Sequence, residues 1–272
     1  METITKTQNG AAPSLKKTLT VLITGSTSGI GLGIAKAFAK EGNNIIFNGL
    51  EKEGPDIAAQ VAKDFEVGTM YSAANMLNAA EISAMVSEGD KKFGGIDVLI
   101  NDAGIQYVSP IEDFPDAKWD AIIGINLSAA FHTSKSVWNG MKKQKFGRII
   151  NIASAHGLVA SEFKSAYVAA KHGLVGLTKV LALEGALFGI TANSICPGYV
   201  KTPLVDKQIE DQAKAHGISK EKVVNDIMLG PQAIKEFVDI ESIGALALFL
   251  SGSNAKMITG AAMSIDGGWT AH

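Results

Sequence analysis

Short apolar runs alternate with longer amphipathic stretches along most of the chain. The runs are apolar at nearly every position, as strands of a parallel sheet buried beneath helices must be. The stretches 30–40, 80–93 and 166–187 have the periodicity of amphipathic helices. This alternation predicts one doubly wound, parallel α/β domain over residues 18–272, with about seven strands. Six strands are predicted individually: Leu19–Thr24, Asn44–Asn48, Ile96–Asn101, Arg148–Ala153, Thr191–Cys196 and Ala262–Ile265.

Two segments depart from the alternation. Residues 199–239 are polar, charged and helix-prone, and they lie between two predicted core strands. An insertion of that length beyond a sheet edge is often a lid over a site, so we predict a helical lid. The alternative is a pair of helices that only packs on the surface. Residues 1–17 are polar and lack an apolar core, which predicts a tail and not a secretory signal.

Composition and charge exclude several classes of protein. Hydrophobic residues make up 46% of the chain, which is enough for a packed core. The 25 basic and 27 acidic side chains leave a net charge of −2, so no basic field would attract nucleic acid or an anionic membrane. The single cysteine, Cys196, rules out an internal disulfide and a cysteine-rich metal site. We therefore expect a cytoplasmic protein without a metal.

A glycine-rich loop follows the first predicted strand. The sequence from Thr24 to Gly31 reads TGSTSGIG, with the spacing Gly-x-x-x-Gly-x-Gly. Glycines at a strand-to-helix junction permit a tight turn and let a phosphate approach the first amides of the helix. The loop lacks the Gly-Lys-Ser/Thr of a Walker motif and the Gly-x-Ser-x-Gly of a hydrolase elbow. It predicts a nucleotide or phosphate site.

The surroundings of this loop indicate which dinucleotide would bind. A 2′-phosphate needs a nearby cation, but residues 26–28 are Ser-Thr-Ser, and the second strand is followed by Gly49 and Leu50. The acid that usually binds the ribose is also absent from the end of that strand. The uncharged loop and the bulky Leu50 favour NAD over NADP.

A serine, a tyrosine and a lysine form the candidate catalytic group. Ser154 follows a predicted strand, while Tyr167 and Lys171 are four residues apart on one helical face. A lysine cation near a phenol lowers its pKa from about 10 towards working pH. Such a tyrosine can take the proton of an alcohol as hydride leaves the carbon, with Ser154 holding the oxygen. The Tyr-x-x-x-Lys spacing could occur by chance, but the serine and the glycine loop make chance a poor explanation.

These motifs together resemble the short-chain dehydrogenase/reductase family. The matching segments are TGSTSGIG, NDAG at 101–104, Asn126, Ser154, Tyr167-x-x-x-Lys171 and the PGxVxT pattern at 197–202, in the family's order and covering the chain from about Leu19 to its end. The resemblance implies a Rossmann-type fold and a homotetramer. Longer segments, including INIASAHGLVAS (150–161) and DGGWTA (266–271), imply a short 3-hydroxy acid as substrate, D-3-hydroxybutyrate, oxidised reversibly to acetoacetate with NAD.

The resemblance also implies a role for each matching residue. Tyr167 is the expected base, with Lys171 tuning it and binding the nicotinamide ribose, and Ser154 orienting the substrate oxygen. Asn126 is expected to hold a water that relays the proton to solvent. The expected cofactor contacts are Gly25, Thr27, Gly29 and Ile30 at the pyrophosphate, Gly198, Val200 and Thr202 at the nicotinamide, and in addition Leu50, Asn75, Met76, Asp102 and Gly104.

Five further residues are expected around the substrate. A small carboxylate leaves water only for a cation and several hydrogen-bond donors. The resemblance assigns that task to Gln106, His156, Lys164 and Gln208, with Trp269 closing the pocket.

Two residues differ from the usual family pattern. Asn75 stands where aspartate is common and can still accept a hydrogen bond from adenine through its amide oxygen. Asp102 stands where asparagine is common and adds a negative charge near an anionic cofactor.

Two other functions compete with the one that the resemblance implies. One alternative is an NADPH-dependent reductase of a 3-oxoacyl thioester. The other is a non-enzymatic NAD sensor or scaffold on the same fold.

Overall fold

Seven parallel strands form one sheet in the computed structural model, which describes residues 18–271; the predicted tail, 1–17, lies outside the described residues. The order of the strands is β3-β2-β1-β4-β5-β6-β7, and each neighbouring pair is parallel. Their bounds are β1 Thr20–Thr24, β2 Asn44–Asn48, β3 Thr69–Ser72, β4 Val98–Asn101, β5 Gly147–Ile152, β6 Ile190–Pro197 and β7 Ala262–Ile265.

Helices cover both faces of the sheet. Helices α1, α2 and α9 pack on one face, and α3, α5 and α6 pack on the other. A π-helical turn, Gly124–Ser128, joins α4 to α5, and a second one, Val223–Met228, continues α8. The bounds are α1 Gly29–Lys40, α2 Gly54–Phe65, α3 Ala79–Phe93, α4 Asp116–Ile123, α5 Ala129–Gln144, α6 Ser165–Gly185, α7 Pro203–His216, α8 Lys220–Lys222 and α9 Ile240–Ser251.

Strand β1 illustrates why the apolar runs are continuous. Its side chains point alternately to opposite faces, as the pleat requires. Val21 and Ile23 are buried in the cluster with α1 and α9, whereas Leu22 is buried in the cluster with α3 and α5. Because helices cover both faces, Val21, Leu22 and Ile23 are all buried, and all three are apolar.

The predicted fold is confirmed, including the doubly wound parallel sheet and the number of strands. Four of the six individually predicted strands differ from the observed ones by one or two residues at an end, and Asn44–Asn48 and Ala262–Ile265 match β2 and β7. The seventh, β3, was missing from the individual predictions because its four residues, TMYS, are only half-buried at the sheet edge. Such a strand has too short an apolar pattern to be detected.

A ladder of buried polar side chains crosses β4, β5 and β6, and the candidate catalytic Ser154 follows the second of these strands. Asn101 of β4 lies opposite Asn151 of β5, which lies opposite Ser194 of β6. Asn101 Nδ2 donates to Asn151 Oδ1 at 2.8 Å, and Asn151 Nδ2 donates to Thr178 Oγ1 of α6 at 2.8 Å. The Thr178 hydroxyl also lies 2.7 Å from Ser194 Oγ. The ladder therefore ties α6, which carries Tyr167 and Lys171, to the register of the strands.

The segment predicted to be a lid lies beyond the carboxyl end of β6. It contains α7 and α8, and Val205, Val223 and Met228 from this segment are buried in one cluster with Tyr199 and Trp269. The helices therefore cover the region where β6 and β7 end. Closure of this segment on a ligand stays a prediction. Within residues 18–271, no helix has the length and apolar character needed to cross a membrane.

Candidate active site

A cleft opens at the carboxyl edge of the sheet, between β1 and β4. The chain leaves these neighbouring strands in opposite directions, and such a reversal creates a ligand-binding crevice in doubly wound folds. One part of the cleft is a cavity of about 340 Å³, which the glycine loop lines, and the other is a smaller cavity of about 80 Å³. Both parts are lined by Ile30, Ile152, Ala153, Tyr167 and Thr202, so Tyr167 lies at their junction.

The glycine loop packs closely against the segment that follows β4. Gly25 has φ +64°, and a Cβ there would lie 2.8 Å from the Ala103 Cα. A Cβ on Gly31 would lie 2.7 Å from Asp102 Oδ2. Ser28, the N-cap of α1, makes no side-chain capping bond, and Ser28, Gly29 and Ile30 line the larger cavity. The amides at the start of α1 are thus placed to bind a phosphate.

Thr27 was expected to line the pyrophosphate, and this stays a prediction. Its side chain is buried and does not line the cavity; its hydroxyl contacts the carboxylate of Glu51 instead. Glu51 lines the outer end of the larger cavity, together with Asn48 and Leu50. Glu51 therefore places an acid in this cavity, three residues after the end of β2. A search of the sequence for any acid within a few residues of the strand end could have found Glu51.

The expected cofactor residues Asn75, Met76 and Gly104 line the same cavity. Asn75 Oδ1 accepts the Leu77 amide at 2.9 Å, and the Asn75 amide donates to a Glu81 carboxylate oxygen at 2.8 Å. Both bonds hold the loop after β3. The amide oxygen keeps one lone pair for a further donor.

Ser154, Tyr167 and Lys171 come together where the two cavities meet. Lys171 Nζ donates to the Ile152 carbonyl at 2.7 Å and lies 5.6 Å from the centre of the Tyr167 ring. Burial raises the pKa of Tyr167 to about 12, although the contact with Ser154 lowers it. Burial also lowers the pKa of Lys171 to about 8. Burial therefore opposes the lowering of the Tyr167 pKa that was predicted from Lys171, and that lowering stays a prediction for the enzyme with its ligands bound.

The smaller cavity brings together all five residues expected around the substrate: Gln106, His156, Lys164, Gln208 and Trp269. Lys164 is only 3% exposed, and burial lowers its pKa to about 7. Within the described part of the chain, no carboxylate forms an ion pair with it. Gln106 Nε2 is also buried without a hydrogen-bond partner. A buried cation and an unsatisfied donor in one small cavity are suited to an anion.

His156 contributes a neutral ring to this cavity. Burial lowers the pKa of His156 well below its usual value, and the nearby charge of Lys164 lowers it further. Its Nε2 lies 2.9 Å from Ser161 Oγ, and its Nδ1 lies 3.4 Å from Ser154 Oγ. The ring thus connects the catalytic serine to the wall of the cavity.

Comparison with known proteins places this geometry in a family. The family model described as short chain dehydrogenase matches residues 19–213. The chain belongs to this family. As a short-chain dehydrogenase, it is an oxidoreductase that uses a nicotinamide cofactor.

Three known proteins illustrate the similarity. The D-beta-hydroxybutyrate dehydrogenase of Rhizobium meliloti (strain 1021) is 54% identical over 259 residues, which cover 94% of this chain and 100% of the relative. The protein of the same name from Cupriavidus necator is 54% identical over 93% of this chain and 98% of its own. A crystal structure of a variant of actinorhodin polyketide ketoreductase with NADPH has a TM-score of 0.89 at 31% identity, covering 94% of this chain and 98% of that one.

The other residues predicted for the site of this dehydrogenase do not all line the larger cavity. Gly29 and Thr202 line the larger cavity, whereas Gly198 and Val200 line only the smaller one. Asn126 is buried in the π-helical turn and lines neither cavity. Its side chain accepts the Ile105 amide at 2.9 Å and donates to the Ile105 carbonyl at 3.0 Å. Asn126 thus positions the segment that carries Gln106, and the relay water stays a prediction.

Asp102 adds a negative charge to the cofactor cavity of this dehydrogenase. Its carboxyl lies deep in the cleft beside Gly31, and loss of water raises the pKa of Asp102 to about 7, although Lys171 opposes the shift. The carboxyl is therefore mostly neutral below pH 7 and mostly charged above it. Only the charged form repels a dinucleotide phosphate.

We therefore predict that Asp102→Asn tightens NADH binding above pH 7. The expected gain is about three- to tenfold, because the removed charge acts through an effective dielectric constant of about 20. Below pH 7 the gain should disappear, since Asp102 is then protonated. Titration of NADH fluorescence between pH 6 and pH 9 measures it, with the exposed Asp120→Asn as control. Equal affinities of wild type and variant at pH 9 would contradict the assignment.

Proposed function

We propose that this short-chain dehydrogenase catalyses the NAD-dependent, reversible oxidation of D-3-hydroxybutyrate to acetoacetate. The observation that carries the proposal is a buried Lys164 without a carboxylate partner in a cavity of about 80 Å³ that Ser154 and Tyr167 also line. The secondary alcohol would meet the catalytic pair while the acid group meets the lysine. The names of the two relatives at 54% identity support the same substrate.

The reaction follows from these positions. The substrate carboxylate would bind Lys164 with help from Gln106 and Gln208, which fixes the carbon that bears the hydroxyl. A nicotinamide bound in the larger cavity would supply the hydride acceptor. In oxidation, the phenolate form of Tyr167 takes the hydroxyl proton as the hydride leaves, and in reduction the resulting phenol returns that proton to the carbonyl oxygen. Ser154 stabilises the charge that develops on that oxygen.

The competing functions fit less well. A 3-oxoacyl thioester has no carboxylate for Lys164 to bind. Glu51 at the outer end of the larger cavity disfavours a 2′-phosphate. A scaffold that only senses NAD would need neither Tyr167 nor an anion site beside it.

We predict that the enzyme uses NAD far better than NADP, and that Glu51→Gln narrows the difference. The carboxylate, held by Thr27, accepts hydrogen bonds from a free ribose and repels a 2′-phosphate. The variant should lose about tenfold in kcat/KM with NAD, the effect of one hydrogen bond to a charged group, and gain with NADP. Steady-state NADH and NADPH absorbance gives both values. Glu53→Gln, two residues away and exposed, is the control, and an unchanged NAD/NADP ratio in Glu51→Gln would contradict the assignment.

The central test replaces Lys164 by methionine, which keeps the apolar stem and removes the charge. The expected loss of kcat/KM is about ten- to a hundredfold for D-3-hydroxybutyrate, and much less for the neutral analogue (R)-3-hydroxybutyramide. In the wild type, kcat/KM for the acid relative to the amide should fall as pH rises through about 7, where Lys164 loses its proton.

The exposed Lys201→Met serves as the control for the Lys164 experiment. It removes one positive charge from the start of the lid segment without touching the smaller cavity. Equal losses on the acid and on the amide in Lys164→Met would mean that Lys164 supports the fold or Tyr167. The substrate assignment would then lose its main support.

The proposal includes the homotetramer that the family resemblance implies. Val180, Leu183 and Leu187 form an apolar stripe at the end of α6 and in the turn after it, and they are 50%, 81% and 94% exposed. Such a stripe favours contact with another copy of the chain. Light scattering should give four copies for the wild type and fewer for Leu183→Glu. Ile111→Glu, exposed on another surface, is the control, and four copies in Leu183→Glu would exclude this stripe from the interface.

A further inference from the structure

We propose that the hydroxyl of Tyr199 positions the Lys164 ammonium for the substrate carboxylate, which makes Tyr199 a positioning residue for specificity. Lys164 Nζ donates to Tyr199 Oη at 2.6 Å and lies 4.9 Å from the centre of the same ring. Tyr199 was not among the residues singled out from the sequence. The inference rests on the proposed function, in which Lys164 binds the acid group.

Lys164 needs such a partner because nothing else in the described chain holds its charge. A lysine side chain has four flexible carbons and three donors on its ammonium. One donor is used by Tyr199, and the cation makes no ion pair with the described residues. The other two donors are left for a ligand in the cavity that Gln106 and Gln208 also line.

Tyr199 is itself held by a rigid surrounding. Its ring stacks on Trp269 with centres 5.5 Å apart and planes 10° from parallel. Its amide donates to Gln232 Oε1 at 3.3 Å, and its carbonyl accepts the Val238 amide at 2.8 Å. The His156 ring meets both aromatic rings edge-on. The position of the hydroxyl is therefore set by packing and backbone contacts, and not by a flexible chain.

A neutral phenol is a better partner here than a carboxylate would be. Burial raises the pKa of Tyr199, so the phenol stays neutral. It orients the ammonium without cancelling its charge, whereas an acid would pair with Lys164 and compete with the substrate. The other ionisable side chains that face the pair are His156 and Tyr167 in the smaller cavity, and Glu162 and His216 in a third cavity that Lys164 and Tyr199 also line.

Tyr199→Phe tests the inference because it keeps the stacked ring and removes only the hydroxyl, which accepts from Lys164 and also contacts the Gln212 side chain. We expect KM for D-3-hydroxybutyrate to rise about tenfold, the effect of one hydrogen bond to a charged group, with kcat within about twofold. Kinetics on (R)-3-hydroxybutyramide should change by less than about twofold. Loss of the acceptor disfavours the charged lysine, so the decline of kcat/KM with pH should move to lower pH. Melting temperature and NADH affinity verify the fold.

A double-mutant cycle separates this role from a structural one. In the Lys164→Met background, Tyr199→Phe should cause no further loss, since the hydroxyl then has no ammonium to position. Tyr107→Phe, a partly exposed tyrosine packed on Phe114, is the matched control and should leave the kinetics unchanged. A tenfold loss in the Lys164→Met background, or equal losses on acid and amide, would overturn the role of Tyr199.

The outcomes also distinguish this inference from the proposed function. If Lys164→Met affects the acid selectively but Tyr199→Phe does not, only the role of Tyr199 fails. If Lys164→Met fails to separate acid from amide, the carboxylate site fails, and the role of Tyr199 fails with it.

Discussion

The buried polar ladder across β4, β5 and β6 fixes the geometry on which the catalytic site depends. Ser154 follows β5, Asp102 follows β4, and Tyr167 lies in α6, so their relative positions depend on strand register and on how α6 packs. Apolar contacts alone are not directional and would tolerate small shifts of the helix. Thr178 of α6 forms hydrogen bonds with side chains of both β5 and β6, which removes that freedom. A slip of one residue would turn these polar groups to the opposite face and leave them unsatisfied.

The two ends of the cleft carry charges of opposite sign, which suit the ribose of the cofactor at one end and the acid group of the substrate at the other. The outer end of the larger cavity carries Glu51, the middle carries the opposed pair Asp102 and Lys171, and the smaller cavity carries Lys164. An acid at the ribose end discriminates against an added phosphate, and a cation at the inner end attracts an acid. Under the proposed function, specificity for both ligands would come from charges outside the pair Ser154 and Tyr167, because that pair only requires an alcohol or a carbonyl.

Much of this arrangement could be predicted from the sequence, because it depends on local spacing. The continuous apolar runs predicted a sheet covered on both faces, and the Tyr-x-x-x-Lys spacing placed Tyr167 and Lys171 on one helical face. The misses depend on contacts between distant segments. Tyr199 meets Lys164 across 35 residues, and Thr27 meets Glu51 across 24. The raised pKa of Tyr167 depends on how deeply the phenol is buried, which no sequence spacing encodes.

The two buried lysines on either side of Tyr167 in the sequence, Lys164 and Lys171, each donate a hydrogen bond to a neutral oxygen. Lys171 donates to a backbone carbonyl, that of Ile152, and Lys164 donates to a phenol, that of Tyr199. Each acceptor is neutral, so it orients the ammonium without cancelling the charge. Burial makes the charged form of each ammonium less stable, which is why the pKa of Lys164 is lowered to about 7 and that of Lys171, although Asp102 opposes the shift, to about 8. The lowered pKa is the consequence of keeping each positive charge available, one for the phenolate of Tyr167 and one for the acid group of the substrate.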